Sequence, residues 1–140
     1  MNLYEQFATS KDLEINGVSL NYGKNNKDEN IEIFIARAGG ANIKFKRASE
    51  LIFKTHKRQI SNDTLTNDEL ETIIMPVYVK NVILGWKGVE DRDGKSIPFS
   101  VENAIKLFTD LPDLYADVRQ MADNQTLFRQ ELRQEDSKNL

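Results

Sequence analysis

Few residues in this chain are of a type and spacing that could do chemistry. There is one histidine, His56, and no cysteine. A transition-metal site needs a full set of N, S or O ligands, and one imidazole without cysteines or clustered carboxylates cannot supply it. His56 therefore reads as a partly buried packing residue. The lack of cysteine also removes a disulfide, a thiol nucleophile and a thiolate metal site. Glu90, Asp91 and Asp93 crowd together as in a calcium loop. The later ligands and the closing glutamate are absent at their spacing, so the segment reads as a turn with a solvated acidic rim. Lys46, Arg47, Lys54, Lys57 and Arg58 gather on one helical face that could grip phosphates. In a chain of net charge −3, a solvated outer face accounts for them better, which argues against a nucleic-acid partner. No nucleophile elbow, phosphate-binding glycine loop or metal-ligand cluster appears. The expectation is a protein that is not an enzyme and uses no cofactor and no metal.

The elements that must position these residues are bounded by composition. A chain of 140 residues reads as one domain spanning 1–140. It can bury about two-thirds of its unfolded surface, enough for one modest core without staples. Lys80 and Asn81 interrupt the best apolar run, so no transmembrane segment is expected. MNLYEQFATSKD has no basic region followed by an apolar one, unlike a signal peptide. Together these features fit a soluble intracellular protein.

The chain is organised around residues 66–86, TNDELETIIMPVYVKNVILGW, which the pattern predicts as a central helix. Thr66 and Glu69 stand at capping-box spacing. Leu70, Ile73, Ile74, Val77 and Leu84 fall on one face, and Met75, Val79, Val82, Ile83 and Trp86 on the opposite one. A helix apolar on two sides is packed on both. Pro76 lacks the N–H that would bond the Thr72 carbonyl, so a kink is expected near residues 72–76.

Ahead of it, Leu13, Ile15, Val18, Leu20 and Tyr22 alternate with polar neighbours around Asn16-Gly17, a strong hairpin signal. Ile31, Ile33 and Ile35 then mark a third strand. The result is an antiparallel meander over about residues 12–37 with one apolar face. After Gly39-Gly40, Asn42 caps a helix over about 42–60, with Phe45, Ala48, Ile52, Thr55 and His56 as its stripe. Beyond the central helix, Asp93-Gly94 turns the chain and Pro98 stiffens it. Ser100 caps a helix over about 100–109, and Pro112 sits in the first turn of the last one, about 111–133. Residues 134–140 are expected to fray. The predicted architecture is α+β and mainly α: a small N-terminal hairpin or meander packed on a four-helix C-terminal bundle. Trp86, Gly94, Pro98 and Ser100 are its structural anchors.

Several of these residues recur in an order that resembles the tail assembly chaperones of long-tailed bacteriophages. The pattern is Gly85-Trp86 with Val89, Asp93-Gly94, Pro98-Phe99-Ser100 with Glu102-Asn103-Ala104, and Leu111-Pro112-Asp113-Leu114. FIARAGGANIKFKRA, residues 34–48, is similar to that family's strand-to-helix junction, and the resemblance extends over about residues 13–130. It implies a mainly helical protein of the host cytoplasm, absent from the mature virion. Such a protein binds the tape measure protein, keeps it soluble and helps recruit the major tail tube protein. A homo-oligomer is compatible with this; a membrane role is not. The alternatives are a head–tail connector or tail terminator of the virion, and a small nucleic-acid-binding regulator.

A chaperone of this kind must expose apolar surface that its core does not consume. Met121, Phe128 and Leu132 continue the stripe of the last helix past the reach of its short neighbours. They are the predicted partner-binding residues, with Met121 closest to the core.

Overall fold

A computed structural model describes residues 2–129 of the chain. The elements in order are α1 (Leu3–Phe7), α2 (Lys11–Asn16), β1 (Val18–Lys24), β2 (Asn30–Ile35), α3 (Ile43–Thr55), α4 (Lys57–Ser61), α5 (Asn67–Asn81), β3 (Ile83–Lys87), α6 (Val101–Asp110) and α7 (Pro112–Asp123). A 3-10 turn, Gln125–Phe128, follows α7.

The fold is α+β, but it is not an N-terminal meander packed on a four-helix bundle. The sheet is a three-stranded antiparallel array in the order β1-β2-β3, and its third strand comes from the middle of the chain. Residues 83–86, expected to finish the central helix, leave it at Val82 and, with Lys87, pair with β2, with Ile33 opposite Trp86 and Ile35 opposite Ile83. The physical reason is that Ile83 and Trp86 enter the same apolar layer as Val18, Leu20, Ile33 and Ile35. An extended segment also lets β2 bond along both edges, which a two-stranded ribbon cannot do.

The other strand correction lies at the N-terminus. Residues 12–16, expected as part of a strand, lie instead in α2. Ser10 caps it by accepting from the Leu13 N–H at 3.2 Å, and Asp12 and Glu14 sit in its first turn. Asn16-Gly17 is therefore a helix end and not a hairpin turn. Gly17 has φ +95°, and a Cβ there would meet the Ile35 carbonyl oxygen at 2.9 Å. The hairpin lies one loop later, where the Asn25 side chain accepts from the Lys27 and Glu29 N–H groups.

The central helix is shorter than predicted, and Pro76 stays within one continuous α5. The Thr66–Glu69 capping box starts it. α5 packs against α3, α6 and β3. The predicted helix over 42–60 divides into α3 and α4 at His56. The last helix stops at Asp123, after which Asn124 caps the 3-10 turn.

The anchors explain the middle of the fold. Trp86 is buried and its Nε1–H donates to the Ile97 carbonyl at 2.8 Å. Its ring meets Phe99 edge-on at 5.1 Å. Asp91 Oδ1 accepts from the N–H groups of Asp93 and Lys95, both at 2.9 Å. Those backbone bonds, that of Lys95 foremost, hold its carboxyl below the usual aspartate range. Gly94 supplies the positive φ of this turn. The Pro98 carbonyl accepts from Asn103 Nδ2, and Ser100 Oγ caps α6 by accepting from the Asn103 N–H.

Candidate functional site

The predicted partner-binding residues do not form an exposed row. Phe128 is completely buried and Met121 is partly buried against the same core. The last helix ends early, so the chain folds back and drives Phe128 inward, where its carbonyl accepts from the Ser10 N–H at 2.7 Å. Leu132 lies outside the described residues.

Apolar surface appears instead on α3. The helix begins at Asn42, whose side chain does three jobs. Its Oδ1 accepts from the Phe45 N–H, and its Nδ2 donates to the carbonyls of Arg37 and Asn81. That fixes the start of α3 beside the end of α5. From there α3 lays Phe45, Ser49 and Ile52 toward Ile74, Val77 and Tyr78 of α5. None of its residues is buried. Between the two helices lies an apolar cleft of about 210 Å³, with Phe53 and Arg119 also lining it. Phe53 is 50% exposed, Ile43 50% and Leu51 64%.

The walls of the cleft are tied together by ring contacts and an ion pair. Phe45 meets Tyr78 edge-on at 5.1 Å. Arg119 of α7 lies over the rings of both Tyr78 and Tyr115, at 5.4 and 5.2 Å. Its Nη1 donates to both Glu71 carboxylate oxygens at 2.6 Å. Desolvation opposes the Arg119 charge, but the Glu71 carboxylate and the tyrosines outweigh it and raise the pKa. Burial raises the Tyr78 and Tyr115 hydroxyls. Burial also lifts Asp123, against the pull of Arg119. This polar pillar ties α5 to α7 and braces the floor of the cleft.

A second depression, of about 520 Å³, lies among Glu90, Asp93, Asn103, Lys106 and Asp110. Asp91, which also lines it, is committed to the turn described above. Among the described residues no group of His, Cys, Asp or Glu could hold a metal ion, and no helix is long and apolar enough to cross a membrane. His56 ends α3, with Nδ1 2.7 Å from Gln59 Oε1.

Sequence reasoning missed this cleft because it read Phe45 and Ile52 as a covered stripe, whereas both line the open space between α3 and α5. The available signal was the apolar remainder: Ile43, Leu51, Phe53 and Ile60 fit no place on that stripe. An apolar residue off the buried face of an amphipathic helix is an exposed one.

The family model described as YdaY prophage protein matches residues 39–139, from the Gly39-Gly40 break through α3, α5, β3, α6 and α7. No curated protein and no solved structure matches the chain. The chain therefore belongs to the YdaY prophage protein family and is a phage-related protein.

Proposed function

We propose that this protein is a tail assembly chaperone. It binds the tape measure protein in the host cytoplasm, keeps that long helical client soluble, and helps bring tail tube subunits to it. It works by binding rather than catalysis and is left out of the finished virion. One observation carries this reading: α3 leaves Phe53 half exposed at the mouth of an apolar cleft that the core does not fill, with Ile43 and Leu51 exposed elsewhere along the same helix. Contiguous apolar surface beyond a few hundred Å² marks a contact site, and a cleft between two helices suits the apolar edge of a third. Membership of a prophage protein family and the ordered Trp86-to-Leu114 pattern support the same reading.

The experiment is co-expression with the tape measure protein, scoring the soluble fraction of the client. The wild-type chain should raise it several-fold. Leu51→Ser with Phe53→Ser should abolish the effect while the melting temperature stays within a few degrees, because both side chains are half exposed or more. A client that stays as insoluble with the wild-type chain as without it would sink the reading. Recovery of the protein in purified particles would favour a structural virion component instead.

A further inference from the structure

We infer that the α3/α5 cleft takes one large apolar side chain from an amphipathic helix whose polar flank is acidic. This rests on the chaperone reading and specifies its ligand. The size of the cleft sets the first half of the inference. A cavity of about 150 Å³ holds benzene, so about 210 Å³ holds one leucine, methionine or phenylalanine side chain, not a whole helix. Phe45, Ile52, Ile74, Val77 and Tyr78 form its floor and walls. Phe53 stands half exposed where the entering helix must lie.

Charge sets the second half. Residues 43–61 carry Lys44, Lys46, Arg47, Lys54, Lys57 and Arg58 against Glu50 alone, in a chain of net charge −3. Among the described residues, the ion pairs are Arg37–Glu14 and Arg119–Glu71. None of the six cations of this segment is in an ion pair with another described residue. At about 100° per residue, Lys46 falls in line with Phe53 two turns earlier on α3 and Glu50 one turn earlier, while Lys57 opens α4 beyond the break at His56. The cation that lines the cleft, Arg119, is already held by Glu71. An apolar cleft beside a basic segment, on an otherwise acidic protein, selects an acidic flank and repels a basic one. Duplex DNA or an anionic membrane would use the same cations but leave the cleft empty, so dependence on Phe53 separates them from a helix.

The test uses the full chain and two labelled helical peptides of about 20 residues, long enough to form several turns. Both carry apolar residues at i, i+3, i+4 and i+7. The polar positions are Glu and Gln in one and Lys and Gln in its twin. Fluorescence anisotropy at about 0.15 M salt should show the acidic peptide binding at least about tenfold more tightly. Lys46→Glu with Lys57→Glu should remove that preference. Phe53→Ser should weaken both peptides by about tenfold or more, with its melt checked alongside. Equal affinity for the two peptides, or acidic-peptide binding undiminished in the lysine double variant, overturns the inference. So does displacement of the acidic peptide by duplex DNA or phosphatidylserine vesicles whose own binding needs Phe53. If the peptide preference fails but co-expression still solubilises the tape measure protein, the ligand assignment is wrong and the chaperone reading stands. If the preference holds and the client stays insoluble, the chaperone reading is the one that falls.

Discussion

Trp86 donates its indole N–H to the carbonyl of Ile97 at 2.8 Å, joining β3 to the loop that leads into α6. The bond crosses the 88–96 turn, so one side chain closes that turn and fills the core beneath it. Trp86→Ala should cost about 3–5 kcal/mol, a fall in melting temperature of roughly 10 °C or more for a chain of this size. Trp86→Phe keeps most of the packing but strands the carbonyl, at about 1–3 kcal/mol. Thermal melts of the three proteins check the order; a shift of a degree or two for the alanine variant would contradict the burial.

Glu14 and Arg37 form an ion pair with the carboxylate side chain only 4% exposed. Arg37→Ala should leave that carboxylate buried and unpaired, and cost about 3–5 kcal/mol. Replacing both partners, Glu14→Leu with Arg37→Met, should recover most of the loss, because the desolvation penalty disappears with the charges. Urea titration of the single and double variants decides it. A double variant as unstable as Arg37→Ala would show that the pair contributes more than the cost of burying it.

Alkaline pH should destabilise the fold through three tyrosines. Burial, reinforced by the hydrogen bond to Asp117 at 2.6 Å, raises the Tyr22 hydroxyl above its ordinary 10.0. Burial raises Tyr78 and Tyr115 as well. A folded-state pKa above the unfolded one means the unfolded chain loses these protons first. The contribution is therefore complete below pH 10 and is lost as pH rises past it. Melting temperature should be flat from about pH 7 to 9 and fall above about 10. Tyr22→Phe should lower stability by about 1.5–3 kcal/mol at neutral pH and flatten part of the alkaline slope.

Phe128 should behave as a core residue. Phe128→Ala should cost about 3–5 kcal/mol, and any loss of client binding should track unfolding. A variant that melts like wild type but fails to bind would return Phe128 to the partner surface.

What the sequence determined by itself is local. Thr66 and Glu69, Ser100, and Pro112 act within four residues of themselves, so the starts of α5, α6 and α7 could be read directly from residue types. Asn42 and the Asp93-Gly94 turn belong to the same class. Even the start of α2 was written in Ser10, Asp12 and Glu14, but the alternation of Leu13 and Ile15 pointed to a strand. What only the tertiary structure decided depends on distant partners. Residues 83–87 fit a helical wheel and a strand equally well, because five residues are too few to separate the two periods. They became β3 because β2, some 50 residues earlier, offered an open edge and an apolar layer. Phe128 followed the same logic in reverse: its helix-like spacing suggested an exposed stripe, and the turn after Asp123 folded it into the core. The cleft is tertiary for the same reason. Phe45, Ile52, Ile74 and Val77 each read as core residues of separate helices, and only the angle at which α3 meets α5 leaves space between them.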